Sequence, residues 1–110
     1  MAGVKFGHVL DQANLELDPN TPHTYILSGV LSRHTVESIH KRSYLLFKDK
    51  KTIVIDLSQT IRSDSSGIAL LIEWMRSTIK NKQSISFTQI PEAMIDIAKI
   101  SGLNKILPVK

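Results

Sequence analysis

The residues with the clearest chemical potential are the polar run Asp64-Ser65-Ser66-Gly67, which precedes an apolar stretch from Ile68 to Ile79. A carboxylate beside two hydroxyls could serve as a base and a nucleophile. It could equally cap a helix, because the unpaired N–H groups at a helix start favour Asp and Ser. No acid or electrophile clusters with Asp64 in the sequence, and no Gly-x-Ser-x-Gly elbow is present. We therefore expect that this run is not catalytic and that the chain is not an enzyme.

Other site motifs are missing from the sequence. Neither the phosphate-binding pattern GxxxxGK[ST] nor the dinucleotide pattern GxGxxG occurs. Four histidines lack the HExxH spacing and the companion carboxylates of a zinc site, namely His8, His23, His34 and His40. The chain has no cysteine, which excludes disulfides and thiolate ligands. We expect neither a metal nor a cofactor.

Composition narrows the choice of partners. The chain has 110 residues, which suits one domain, and its formal net charge is +4. The basic residues are scattered except in Lys48-Asp49-Lys50-Lys51, and aromatic residues make up only 5% of the chain, so we expect no nucleic-acid binding. The longest apolar run, Ile68 to Ile72, is too short to cross a bilayer, and no signal-peptide pattern opens the chain. We expect a cytoplasmic protein without membrane insertion.

Hydrophobic periodicity predicts an α/β domain. Residues 1–12 read as a lead-in, and residues 13–110 as the domain. Strands are predicted at Asn14–Asp18, Thr24–Gly29, Thr52–Leu57, Ser84–Thr88 and Ile106–Val109. Helices are predicted from Thr35, from the Asp64 run, and from Pro91 to a Schellman stop at Ser101-Gly102-Leu103. The order ββαβαβαβ predicts an antiparallel hairpin followed by parallel strands, in a small mixed sheet of four or five strands with helices packed on it.

The helix that follows Asp64 carries two apolar sets. At about 100° per residue, one stripe faces the sheet and consists of Ile68, Leu71, Ile72, Met75 and Ile79. Leu70 and Trp74 fall roughly opposite, on the side where a surface helix is usually polar. We interpret this pair as a docking surface for another protein; the alternative is that a neighbouring loop covers it.

The strand, loop and helix around Asp64 resemble the signature of STAS domains, the family of anti-sigma-factor antagonists and related regulators. Asp64-Ser65-Ser66-Gly67-Ile68 matches that family's D-[ST]-[SG]-G-[LI] motif, and Ile26 to Leu31 resembles its L-x-G-x-L turn. The similarity extends from about Leu15 to Leu107. The tail from Phe87 to Leu103, with Ile106-Leu107-Pro108 after it, resembles the MlaB type.

The resemblance implies a non-catalytic subunit that binds and supports the ABC ATPase of a bacterial Mla-type phospholipid transporter, which maintains outer-membrane lipid asymmetry. ATPase and permease would then hold the chain at the inner membrane. The contact residues implied are Ser63, Asp64, Ser65, Ser66, Gly67, Leu70 and Trp74, with Arg62 at the edge. The alternative is an anti-sigma factor antagonist whose kinase partner phosphorylates Ser65, because the Ser65-Ser66 pair is closer to the antagonists' spelling. Ser65 as a simple helix cap also stays open.

Overall fold

The computed structural model describes residues 11–109, so most of the predicted lead-in lies outside the described residues. In chain order the elements are β1 (Ala13–Leu17), β2 (Thr24–Leu31), α1 (Val36–Phe47), β3 (Thr52–Asp56), β4 (Thr60–Ser63), α2 (Ser65–Lys80), β5 (Ser84–Thr88) and α3 (Glu92–Ile100). The predicted α/β class with helices packed on a mixed sheet is confirmed.

The sheet is centred on β2. Its path runs β1-β2-β3-β5, and the short strand β4 pairs with the far end of β2. The predicted hairpin is confirmed: β1 and β2 are antiparallel, with Leu15 opposite Leu27. The pairs β2–β3, β3–β5 and β2–β4 are all parallel. The carboxyl ends of these parallel strands therefore meet at one edge of the sheet.

Two details of the predicted order are wrong. The segment Thr60–Ser63 was expected to be loop, but it forms β4 and pairs with β2 across a register shift at Gly29. The segment has no alternating apolar pattern, because Ile61 is its one apolar residue. In the structure Ile61 is 79% exposed, and Arg62 is exposed too. The predicted last strand is reduced to one bridge between Phe87 and Val109.

The predicted Schellman stop after α3 is confirmed. Gly102 has φ +71°, in the left-handed region that glycine adopts without strain. The Leu103 N–H donates to the Ala98 carbonyl at 2.8 Å, and the Gly102 N–H donates to the Lys99 carbonyl at 3.0 Å. These two bonds are the pair that defines the motif, and they turn the chain back toward β5.

The predicted orientation of α2 is wrong at its most important point. Leu70 is 4% exposed and Trp74 is 1% exposed, whereas Ile79, which was expected to face the sheet, is 75% exposed. Leu71 at 0% lies at the centre of the buried face. The reason is that α1 packs beside α2 and α3 packs on it as well, so the buried arc is wider than one stripe. Leu70 and Trp74 are therefore covered by helix α1, and not by a loop as in the alternative interpretation.

Trp74 lies in the contact between α1 and α2. Its indole Nε1–H donates to the Ser43 Oγ on α1 at 2.9 Å, so its polar group is satisfied although the side chain is buried. Its ring meets Phe47 edge-on, with centroids 5.5 Å apart. Phe47 in turn meets Tyr25 of β2 at 5.0 Å. A column of three aromatic rings thus joins α2, α1 and the sheet.

We predict that the Trp74–Ser43 hydrogen bond stabilises the fold. Ser43→Ala should lower the free energy of unfolding by about 1–3 kcal/mol, because it leaves the buried indole N–H without an acceptor. The same substitution in a Trp74→Phe background should cost clearly less, since phenylalanine has no N–H to satisfy. Urea denaturation of the four proteins forms a double-mutant cycle. Equal costs of Ser43→Ala in both backgrounds would contradict the assignment.

Candidate functional site

The candidate site is the amino-terminal end of α2, and the strand pair β2–β4 determines its position. Leu31 at the end of β2 pairs with Ser63 at the end of β4. One residue further on, the Asp64 N–H donates to the Leu31 carbonyl at 3.0 Å. The ladder therefore continues up to the residue that starts the helix, so the first turn of α2 is held at the edge of the sheet.

Asp64 and Ser65 have different roles at this helix start. The Asp64 Oδ1 accepts the Ser66 N–H at 2.7 Å, and the Asp64 backbone is extended (φ −98°, ψ −168°), as expected for an N-cap. Ser65 is exposed, and within residues 11–109 its hydroxyl has no hydrogen-bond partner. The Asp64 carboxylate thus caps the helix, and the Ser65 hydroxyl is not needed for the cap.

Gly67 lets α2 lie close to the sheet. A Cβ added at Gly67 would lie 1.9 Å from the Ser63 Oγ and 3.2 Å from the Leu31 Cβ. The Ser63 hydroxyl also donates to the Asp64 carbonyl at 2.8 Å, so moving the hydroxyl away would break this hydrogen bond. The glycine of the motif is therefore a packing residue, buried beneath the surface that Ser65 presents.

The loop between β2 and α1 forms the opposite wall of the site. The Ser32 N–H donates to the Thr35 Oγ1 at 3.0 Å, and the Thr35 hydroxyl donates to the Val30 carbonyl at 2.8 Å. Thr35 stands at the N-cap position of α1 as predicted, but its side chain bonds to this loop and not to the helix. The loop is therefore held rigidly, and it carries the exposed Arg33 beside the start of α2.

Two shallow cavities flank the helix start. One of about 310 Å³ lies at the sheet edge between the β2–α1 loop and Ser63-Asp64. The other, of about 380 Å³, lies between α1 and α2. Arg33 lines both cavities, and Leu70 forms part of the floor of the second. A partner that contacts Ser65 would therefore meet a concave surface on each side of this residue.

Charges of both signs surround these cavities. Arg62 forms an ion pair with Asp11, at 3.2 Å between Nη2 and Oδ1, and two thirds of the Arg62 side chain remains exposed. On the other side, Glu37 of α1 and Glu73 of α2 line the cavity between the helices. Such a mixed rim contributes more to the orientation of a partner than to its affinity.

The structure groups most of the predicted contact residues and separates two of them. Asp64 and Ser65 are exposed, Ser63 and Ser66 are half-buried, and all four lie together. Gly67 lies beneath them, and Arg62 lies at the edge as predicted. The prediction that Leu70 and Trp74 form an exposed contact face is wrong, because α1 covers them.

The outward face of α2 was missed by the sequence analysis. Its exposed residues are Ser65, Ala69, Glu73, Arg76 and Lys80, which follow one another at helical spacing, together with Ile79. That spacing was available as a signal, since small and charged residues recur every three or four positions.

Within residues 11–109, no group of three potential ligands is placed to hold a metal ion, and no helix is long and apolar enough to span a membrane.

We predict that Asp64 stabilises the helix start and that Ser65 does not. Asp64→Ala should lower the free energy of unfolding by about 0.5–2 kcal/mol, because it removes the acceptor of the Ser66 N–H. Ser65→Ala should change it by less than about 0.5 kcal/mol, as an exposed substitution away from such a contact. Urea denaturation measures both. A loss in Ser65→Ala as large as that in Asp64→Ala would mean that the Ser65 hydroxyl is needed for the cap.

We also predict that Gly67→Ala destabilises the fold. The cost of overpacking, about 1–3 kcal/mol, outweighs a helix-propensity gain of about 1 kcal/mol at most. Adding Ser63→Ala should restore part of the loss, because the closest atom is then absent, and Ser63→Ala alone provides the baseline. A Gly67→Ala protein as stable as the unmodified chain would show that the close approach is not tight.

Relatives of the chain agree with this architecture. Among solved structures, it resembles the anti-sigma factor antagonist SpoIIAA in its unphosphorylated form, with a TM-score of 0.66 and 24% identity over 89% of this chain and 87% of that chain. At this identity the likeness shows the fold. No curated protein matches the chain. A family model described as "Mlab, STAS domain" matches residues 20–108, and the chain therefore belongs to the STAS domain family, in its MlaB type.

Proposed function

We propose that this chain is a non-catalytic subunit that binds the ABC ATPase of a bacterial Mla-type phospholipid transporter. It supports the assembly and activity of that ATPase. In this proposal it is cytoplasmic and reaches the inner membrane only through the ATPase and its permease. The family description supports the MlaB assignment, and STAS domains are generally non-catalytic modules for protein interaction.

The exposed Ser65 hydroxyl is the observation that carries this proposal. Ser65 stands at the first position of α2 without a hydrogen-bond partner among the described residues, because Asp64 already caps the helix. One turn further along the outward face, Ala69 presents only a methyl group. Small side chains at successive turns allow a partner's backbone to approach closely, while the hydroxyl supplies a hydrogen bond.

The surroundings of Ser65 support a protein as the partner. The cavities on its two sides are shallow, and their rims carry Arg33, Glu37 and Glu73. Charges of both signs around a small-residue centre match the polar rim of a protein interface. Trp74 acts in this proposal as a support, since it packs α2 against α1 and so fixes which face is presented.

An anti-sigma factor antagonist is the second candidate. This candidate is favoured by the similarity of the fold to that of SpoIIAA and by the two adjacent serines, Ser65 and Ser66, in the motif. Phosphorylation of Ser65 would add about −1.5 to −2 charges at the start of α2. A helix amino terminus accommodates a phosphate, so the fold should survive. A closely packed partner would not accommodate the added group, so binding should fall.

Co-purification from the native host, with mass spectrometry of the bound proteins, should distinguish the two candidates. We expect an ABC ATPase and a polytopic permease. A small kinase that transfers phosphate from labelled ATP to Ser65 would support the antagonist instead. Recovery of neither, from cells in which the protein is abundant, would contradict both.

Ala69→Arg should then reduce capture of the ATPase by about tenfold or more, because a long side chain at the centre of the contact keeps the partner away. The thermal unfolding temperature should change little, since Ala69 is exposed. Ile79→Arg is the matched control: it adds the same side chain at an exposed position near the other end of α2. Equal capture by both variants would show that the partner does not use the start of α2.

A further inference from the structure

A larger groove than the two cavities beside Ser65 lies at the opposite end of α1 and α2. It encloses about 650 Å³ between the carboxyl ends of α1 and α2 and the loops that follow them. Within α2 the lining residue nearest to Ser65 is Trp74, which lies about 13 Å along the helix axis from Ser65, and Lys82 lies beyond the end of the helix. His40 borders both this groove and the cavity between α1 and α2, but the lysines of the groove line neither cavity beside Ser65, so what they bind does not depend on the proposed function.

The two loops that border the groove are joined to each other. The Gln83 side-chain Nε2 donates to the Phe47 carbonyl at 2.7 Å and to the Lys50 carbonyl at 2.6 Å. The Ser84 N–H donates to the Lys51 carbonyl at 2.8 Å. These bonds hold the loop after α1 against the loop after α2, so the groove has a defined shape.

Four lysines line this groove against a single acidic residue, Asp49. They are Lys48, Lys50, Lys51 and Lys82, and all four are exposed. The ion pairs of the described residues are Arg62–Asp11 and Arg76–Glu73, so none of these lysines is neutralised by a salt bridge there. The groove therefore concentrates positive charge that the described part of the chain does not compensate.

The helix dipoles account for only part of this charge. Lys48 is the C-cap residue of α1, and Lys82 follows the C-cap of α2 by one residue, so both stabilise the negative ends of their helices. Lys50 and Lys51 lie beyond the last turn of α1, where that effect has faded. The helix dipoles therefore do not explain why Lys50 and Lys51 lie on the same groove, and this placement suits a negatively charged partner.

We propose that this groove binds an acidic polypeptide segment of another protein. Carboxylates spaced along such a segment match lysines on the two facing loops. The concave shape suits a chain segment and does not suit a flat bilayer. A second copy of this chain is a poor occupant, because it carries a net charge of +4 and has no two adjacent acidic residues. Stacking of nucleic-acid bases would need several exposed aromatic rings, whereas the exposed rings among the described lining residues are those of Tyr44 and His40, since Phe47 and Trp74 are buried.

The test uses the full chain and a defined probe, a fluorescein-labelled ten-residue peptide of alternating glutamate and glycine. Fluorescence anisotropy at low salt measures its affinity, and amide chemical shifts of the isotopically labelled protein locate it. We expect saturable binding with shifts centred on residues 48–51 and 82–83. The variant Lys50→Gln/Lys51→Gln/Lys82→Gln should bind about tenfold more weakly. The matched control is Lys41→Gln/Lys99→Gln/Lys105→Gln, which removes the same charge from exposed lysines outside the groove and should change the affinity less than about twofold.

Three results would overturn the proposal. Absence of peptide binding would remove its basis, and equal weakening by the two triple variants would mean that only net charge attracts the peptide. Vesicles with one quarter phosphatidylglycerol, or a single-stranded oligonucleotide, could instead bind more tightly than the peptide and through the same three lysines. That result would mean that the occupant is a membrane or a nucleic acid. Thermal unfolding of each variant checks that the fold is intact.

Discussion

Burial of Trp74 between two helices is the constraint on which the rest of the structure depends. An indole is large and apolar but carries one N–H, which must find an acceptor when it leaves water. Ser43 supplies that acceptor from α1, and the rings of Phe47 and Tyr25 extend the contact to the sheet. This arrangement fixes the rotation of α2 about its axis, because turning the helix would expose the indole or leave its N–H unpaired.

The rotation of α2 determines what the surface can do. With Trp74 directed to α1, the outward face carries Ser65, Ala69 and Glu73, which are small or charged. Asp64 caps the helix, so the neighbouring Ser65 hydroxyl is not needed for the fold. In the proposed function, structure and recognition are therefore divided between adjacent residues, so that a substitution or a phosphate at Ser65 would change binding while the fold persists.

The two ends of the α1–α2 pair differ in their electrostatics. At the amino-terminal end of α2, Arg33 lies near Glu37 and Glu73, so opposite charges alternate over a short distance. At the other end, lysines from two loops line one groove, with Asp49 as the one acidic lining residue among those described. The first surface suits a partner with a matching mixed rim, and the second suits an acidic one. Under the two proposals, one helix pair would thus serve two partners, or two parts of one partner.

Local patterns in the sequence determined the elements with strong local signals. The β1–β2 hairpin, the strand Ser84–Thr88, the helix start at Asp64 and the stop at Gly102 all depend on neighbours within a few residues. Strand β4 escaped prediction because its pairing with β2 joins residues about 30 positions apart. The burial of Leu70 and Trp74 escaped for the same reason, since periodicity shows that a helix has two apolar sides but not which neighbour covers each. Only the tertiary structure decided that α1 covers them, because packing against a distant helix, and not the order of residues within α2, sets which side faces water.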